Sequence, residues 1–595
     1  MKIGLLLFFG LILSAGAEEL TTRNLPGGSL VRLIAPLNKL PSGGFFLVRA
    51  EVENEGKDPL TFQLDCTCTL SDFSGFSISF RRGSDDAGTI ESTFDFSCPP
   101  GEDRSFEFLI PVCQGNKYHE RYLNLAIRDS QINRFLGAAR IKSDPADIHY
   151  GVSTSAIKIK GLSGPPDDSM AEFKPNDLPA DWRAYAGYDA LILTGAEFKA
   201  MAPGAKLAID QWVRSGGHLI VLDQNNEASK SPSASSDFRI VPGDKSKLGR
   251  LLADSLTDRQ NGFGLKTIVA ARSPWEVGAG DLMMILQSGK KTLAKIHDEQ
   301  YDSDWKVGRE LGSRSLGTGL VLFGLMIFAV VVGPVNLFVL AKATRRHRLF
   351  FTTPIISLTA SLLMVGLIIL SDGFGGDGTR AIAIEVGSSD DKTATVIQEQ
   401  FSRSGILFSS GFDLDDQSVL NPVKPPITEM NRADSAYSTG TFQLQVSRKE
   451  DGWKYSGDLF ESRSEQAQLI RSVIPSREGL ALVSGPGESP KLASTFAYSV
   501  GPVFYTDTSG EIWQTDSIAP GESATLQRSG VDARGSALNK AVFRFAKSHR
   551  SVLENMFQRK DSFAALAEAA PGVDTHPSID WQESPVVITG LAKTK

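Results

Sequence analysis

The chain has 595 residues, which at about 150 residues per domain is too long for a single ordinary domain. Hydrophobic residues make up 41% and charged residues 22%, which excludes a disordered polymer. A net charge of -7 and a pI near 5.7 supply no global basic surface, so nucleic acid is not an expected partner. The mean hydropathy of -0.10 and the four cysteines look unremarkable only as averages, because both are concentrated in particular places.

Met1-Lys2 precedes an uninterrupted apolar run from Ile3 to Leu13, followed by Ser14-Ala15-Gly16-Ala17. A short basic start, an apolar core and an A-x-A site predict a secretory signal over residues 1–17, with the remainder exported.

Residues 26–143 predict an immunoglobulin-like β-sandwich. Val48, Ala50 and Val52 alternate with charged neighbours, and Leu60, Phe62, Leu64, Cys66 and Cys68 share one face of a later strand. Phe94, Phe96 and Cys98 alternate up to the turn Pro99-Pro100-Gly101, beyond which Phe106, Phe108 and Ile110 resume the pattern. Short strands separated by turn residues are the mark of such a sandwich. Cys66, Cys68, Cys98 and Cys113 all fall here. In an exported chain this even, local set predicts two disulfides, Cys66 and Cys68 each reaching Cys98 or Cys113. The spacing fits no standard zinc site, even with His119 nearby, and no metal is expected.

Residues 145–300 change period. Tyr188 to Leu193 is a continuous apolar strand, Ala205 to Arg214 a helix, Ser215-Gly216-Gly217 its stop, and His218 to Asp223 a second buried strand. Strand, helix and strand in that order predict a right-handed crossover in a parallel sheet. Ligands of such sheets gather at the carboxyl ends of the strands, which singles out Thr194, Glu197, Asp223 and Gln224 as candidate binding residues. His218, at the start of its strand, is expected to be structural.

Two apolar runs follow, residues 316–341 and 349–370, joined by the basic loop 342–348. Each is long enough to cross about 30 Å of hydrocarbon. Lys342, Arg345, Arg346 and Arg348 place the loop in the cytoplasm and both large flanks outside, as the signal sequence also requires. Pro334 predicts a kink, and Asn336 a hydrogen bond to Thr352, Thr353 or Ser357 on the second helix. Neither run carries an acidic or basic residue, so a conduction pathway is not expected.

Beyond the glycine-rich linker 373–378, alternation at Ile382, Ile384 and Val386 and at Phe442, Leu444 and Val446 predicts a second β-sandwich-like domain over 379–530. It includes a hairpin about Asp507-Thr508-Ser509-Gly510. Asp413 to Asp416 lacks the glycine and distal glutamate of a calcium loop and is expected to be solvated. The segment 536–595 predicts an amphipathic helix, with Leu538, Val542, Phe545, Val552, Leu553, Met556 and Phe557 capping its own domain.

The stretch Leu178-Pro179-Ala180-Asp181-Trp182 through Tyr188-Asp189-Ala190-Leu191, with Trp212-Val213-Arg214-Ser215-Gly216-Gly217-His218-Leu219-Ile220-Val221, resembles the class I glutamine amidotransferase-like fold. The domain order, with Gly333-Pro334-Val335-Asn336 and Thr352-Thr353-Pro354, resembles bacterial envelope membrane proteins that carry such a domain outside the inner membrane. The resemblance implies amide hydrolysis by a cysteine in a sharp turn after a strand. Here the strand ending at Asp223 runs into Gln224-Asn225-Asn226, with neither cysteine nor serine at the elbow. The expectation is therefore a multidomain inner-membrane protein of two spans that has no cofactor. Its periplasmic domains act as a non-catalytic scaffold or recognition module for protein partners at the bilayer. The alternatives are a hydrolase using Glu197 and Asp223, and an accessory subunit of a transporter.

Overall fold

The structure is a computed structural model. It describes residues 18–72, 86–114, 119–143, 146, 148–158, 169–223, 256–269, 279–293, 305–311, 318–340, 346, 349–387, 392–423, 442–484, 489–568 and 570–594. The expected signal segment, Gln224, Lys342, Arg345 and Arg348 lie outside them. The described chain is rich in β-structure, with several sheets and few helices.

The N-terminal sandwich begins earlier than expected, with strand Glu18–Asn24. Its smaller sheet joins that strand to Leu30–Ala35, Phe45–Glu53 and Asp103–Pro111. The facing sheet holds Leu60–Asp72, Asp86–Cys98, His119–Asp129 and Arg134–Ser143. The predicted alternation closes the layer between them. Phe94 meets Phe108 at 5.2 Å between ring centroids, and Phe96 meets Phe106 at 5.1 Å.

One expected boundary is wrong. Strand Phe442–Lys449 pairs in parallel with Asp86–Cys98, so Gly452–Gly457 and Phe412–Asp415 extend the N-terminal sheet to seven strands. The segment 379–530 is consequently no separate sandwich. Alternation marks which residues of a strand turn inward but not which strand lies alongside, so the partner was invisible in the sequence.

Ten of the other strands after the apolar helices build a mixed sheet, and Leu480–Leu482, Lys491–Ser494, Ser523–Thr525 and Lys593–Thr594 form a separate four-stranded one. Gly376–Val386 lies between Thr393–Ser404, antiparallel, and Val586–Leu591, parallel. The expected hairpin is present in it, Val503–Thr506 against Ile512–Thr515. The C-terminal segment is thus not only helical, since Ser562–Ala567 and Val586–Leu591 are strands of this sheet. Its helical part is two helices, Val531–Val542 and Lys547–Phe557, rather than one. The break is made from outside the segment: the fully buried carboxylate of Glu399 accepts hydrogen bonds from the backbone N–H of Ala546 at 2.9 Å and from Trp305 Nε1 at 2.7 Å, and contacts His549 Nδ1 at 2.5 Å. The apolar faces of both helices, including Leu538, Val542, Leu553 and Met556, are buried on the sheet.

The α/β unit packs against both sets of layers. Its six-stranded sheet runs Met170–Phe173, Tyr150–Ser153, Ala190–Thr194, His218–Leu222, Gly264–Val269, Leu256–Asn261, with only the last strand antiparallel. The predicted crossover is Ala190–Thr194, helix Pro203–Arg214, His218–Leu222. Ile209 and Trp212 of the helix are fully buried; burying a side chain the size of Ile209 contributes about 1.5–3 kcal/mol. Helix Ala279–Thr292 covers the opposite face through Leu282, Ile285 and Leu286. The stop after the first helix is a steric requirement: Gly216 has φ 116, and a Cβ on Gly217 would stand 2.2 Å from the Trp212 ring.

Arginines fasten the unit to its neighbours. Arg214 Nε donates to Glu385 Oε2 at 2.8 Å, Arg471 Nη2 to the carbonyl of Ala186 at 2.8 Å, and Arg559 Nη2 to the carbonyl of Gly262 at 2.9 Å. All three arginines are buried.

The apolar segment starts as helix Thr318–Val330, continues as a π-helix over Val331–Leu340, and is followed by helix Leu349–Asp372. Pro334 lies in the π-helical stretch, where a residue without an N–H leaves carbonyls to be reached at longer spacing. Asn336 Nδ2 donates to Thr353 Oγ1 at 2.9 Å, one of the three partners expected. Among the described residues, one helix, Leu322–Val339, is long and apolar enough to cross a membrane. The second expected span is therefore met only by a shorter apolar stretch, Leu349–Leu363.

Both feet of this segment stand on the same strand pair. Val307 and Trp305 are buried in the core beneath the ten-stranded sheet, and Arg403 Nη1 donates to the carbonyl of Leu311 at 3.3 Å. Arg403 is also the register partner of Asp377, and Gly376 is that of Ser404.

Candidate functional site at the carboxyl edge of the α/β sheet

The strand order reverses at Tyr150–Ser153: Met170–Phe173 pairs on one side and Ala190–Thr194 on the other. Carboxyl ends flanking such a reversal diverge and leave a crevice. The structure brings Thr194, Glu197 and Asp223 to this edge, as the sequence predicts, and adds Ser153 and Ser155.

Thr194, Glu197, Ser153 and Ser155 are committed to one another. Thr194 caps helix Gly195–Ala200 and forms a reciprocal capping box with Glu197. Glu197 Oε2 accepts from Ser153 Oγ at 2.5 Å, from the Thr194 N–H at 2.9 Å and from Thr194 Oγ1 at 2.9 Å. Its Oε1 accepts from the Ser155 N–H at 3.2 Å. Burial alone would raise the Glu197 carboxyl, but the bonds from Ser153, Thr194 and Ser155 outweigh it and hold the group below its ordinary value. A carboxylate so lowered and so fully bonded is a poor general base. Asp223 is buried at the end of its strand, its N–H bonded to the carbonyl of Val269 at 3.0 Å. A Cβ on Gly195 would come within 3.0 Å of the Asp223 carboxyl, so the two elements touch directly. Gln224 lies outside the described residues.

Ser153 and Ser155 were missed because strand Tyr150–Ser153 is too short to show a period. The available signal was the run Ser153-Thr154-Ser155 directly after an apolar triplet.

At the opposite end of the sheet His218 is buried, with Nε2 2.8 Å from Thr267 Oγ1. Burial pushes its pKa down to about 3, so it is a neutral core residue, as expected.

The cysteine expectation needs correction. All four are buried free thiols. Cys68 and Cys113 adjoin: the Cys113 N–H donates to Cys68 Sγ at 3.2 Å and Cys113 Sγ lies 3.3 Å from the carbonyl of Cys68. The second bond is excluded by register. Cys98 pairs with Leu60, whereas Cys66 pairs with Ser92; six positions along a strand are about 20 Å, beyond the roughly 7 Å a disulfide spans. The pairing in the ladder, which sequence does not show, is the cause.

The Asp413–Asp416 run also differs from a solvated loop. Asp413 to Asp415 belong to the edge strand Phe412–Asp415, Asp413 pairs with Lys449 at 2.7 Å, and Asp416 receives Arg183 Nη1 at 2.6 Å. Asp413, Asp415 and Lys449 border a cavity of about 760 Å³ between the seven- and ten-stranded sheets, lined also by Val396, Leu414, Trp453 and Val573. Among the described residues no group of three His, Cys, Asp or Glu side chains is placed to hold a metal ion.

No family model matches the chain, and no curated protein matches it. Among solved structures, a Bacteroides uniformis β-glucuronidase is similar at 11% identity and a TM-score of 0.13, over 32% of this chain and 23% of that one. The sporulation control protein Spo0M of Bacillus subtilis is similar at 16% identity and a TM-score of 0.15, over 20% of this chain and 50% of that one. The yeast delta-COP mu-homology domain is similar at 12% identity and a TM-score of 0.16, over 37% of this chain and 96% of that one. At such scores none of them assigns a fold or an activity.

Proposed function

We propose that this chain is a membrane-anchored, non-catalytic scaffold of the bacterial envelope. Its apolar segment forms a two-helix hairpin in the inner membrane, and the folded layers on either side of it stand together in the periplasm. The observation that carries this reading is the shared footing of the hairpin. Arg403 binds the carbonyl of Leu311, where the chain leaves the body, and pairs in register with Asp377, where it returns. A chain that leaves and returns at one place crosses a bilayer an even number of times. The uncharged runs 316–341 and 349–370 supply two crossings, and the basic loop with Lys342, Arg345, Arg346 and Arg348 remains on the cytoplasmic side.

The α/β unit is the degenerate amidotransferase-like domain of this reading. Its parallel core supports the assignment, and the saturation of Glu197 by Ser153, Thr194 and Ser155 favours a structural over a hydrolytic role for the carboxyl edge. The surfaces of the folded layers then serve recognition of a protein or polymer partner.

Crosslinking in intact cells followed by mass spectrometry tests the proposal. The expected result is a reproducible envelope protein crosslinked to residues of the folded layers. Turnover of an amide or glycoside by the purified chain, abolished in both Glu197→Gln and Asp223→Asn with folding intact, would establish the hydrolase instead.

A further inference from the structure

The pole of the molecule where the apolar helices meet the body carries two phenylalanines that the fold leaves bare. Phe374 is 62% exposed and Phe408 is 87% exposed, although their rings stack on each other at 5.4 Å between centroids and 12° between planes. Phe374 stands two residues beyond the end of helix Leu349–Asp372. Phe408 tips the loop that follows strand Thr393–Ser404.

Looseness does not explain the exposure, because the loop backbone is pinned on every side. Gly405 N–H donates to the carbonyl of Gly375 at 2.6 Å, Ile406 N–H to that of Gly373 at 3.0 Å, and Gly375 N–H to that of Ile406 at 3.1 Å. Leu407 N–H donates to Ser462 Oγ at 2.9 Å, and His576 Nε2 lies 2.8 Å from the carbonyl of Ser409. A rigid apolar tip turned out of the core is an interaction surface. Its place identifies the partner, since Gly373 and Gly375, which hold the loop, are the first residues of the chain to leave the helix.

We propose that Phe374 and Phe408 form a bilayer-contact platform. The stacked rings insert at the boundary between headgroups and acyl chains beside the hairpin, and they fix the orientation of the body on the membrane. Aromatic side chains flanking a span occupy this depth, and apolar rings on a peripheral surface insert to it. The inference rests on the hairpin lying in the bilayer.

The test uses the full chain in lipid nanodiscs, with an environment-sensitive fluorophore attached at Phe408→Cys or, separately, at Leu358→Cys. The native thiols are buried, and Leu358 is 62% exposed on the apolar helix. Spin-labelled phosphatidylcholines carry the quencher either near the headgroup or deep in the chain. The expected result is quenching at position 358 chiefly by the deep label and at position 408 chiefly by the shallow one. Quenching at 358 with none at 408 overturns the platform and leaves the hairpin standing. No quenching at either position overturns the hairpin and the platform with it.

Discussion

The two ends of the six-stranded sheet handle polar groups in opposite ways. At the carboxyl end Ser153, Thr194 and Glu197 satisfy one another within the unit, over separations no greater than 44 residues. At the amino end Arg214, which closes the crossover helix, reaches 171 residues along the chain to Glu385, and Gln260 reaches the carbonyl of Val552. At the end that the fold class marks for chemistry Glu197 is satisfied inside the unit, and the other end fastens the α/β unit to the ten-stranded sheet. The buried Arg214–Glu385 pair thus serves assembly, whereas Glu197 at the crevice serves a helix cap.

Breaking the amino end should have the largest effect. Glu385→Ala leaves the Arg214 guanidinium buried without its carboxylate, and removal of one partner from such a pair costs about 3–5 kcal/mol. Denaturant unfolding in detergent should show that loss, with most of it restored by Arg214→Met combined with Glu385→Leu. A loss in Glu385→Ala no larger than that of a surface substitution would remove the amino end as the fastening.

His218 makes the same end sensitive to acid. Its pKa is about 3 in the fold and about 6.5 when unfolded, so the unfolded state binds the extra proton between those values. Its contribution is complete above pH 6.5 and declines as the pH falls through that window, by about 2 kcal/mol at pH 5. His218→Gln should flatten the melting temperature between pH 7 and 5. An unchanged slope would show that His218 is not the group responsible.

The carboxyl end should respond less. Glu197→Ala removes the capping box at a cost of about 1 kcal/mol. Because the Glu197 carboxyl is held low in the fold, its contribution is present at neutral pH and lost as acid protonates it. A change above about 3 kcal/mol would mean that this end also carries assembly, and the contrast would fail.

Asn336→Leu should have the smallest effect. Its bond to Thr353 is worth about 0.6 kcal/mol in a bilayer. Detergent-resolved unfolding of the helical segment should move by no more than that.

What the sequence disclosed follows the same line. Local periodicity revealed the crossover, the hairpin at Asp507, the inward faces of the first sandwich and the carboxyl-edge residues Thr194, Glu197 and Asp223. What stayed hidden depends on distant partners: Phe442–Lys449 completing the N-terminal sheet, Glu399 dividing the C-terminal helix at Ala546, and the register that keeps Cys66 from Cys98. A β-strand advertises its faces and conceals its neighbour.

The central claim is that both folded flanks lie on one side of a membrane, joined through a hairpin. Labelling of single cysteines in spheroplasts with a membrane-impermeant maleimide tests it directly, since the native thiols are buried. Lys57→Cys and Arg528→Cys should label at once, whereas Arg346→Cys should label only after permeabilisation. Labelling of Lys57→Cys and Arg528→Cys from opposite sides, or prompt labelling of Arg346→Cys, would contradict the hairpin.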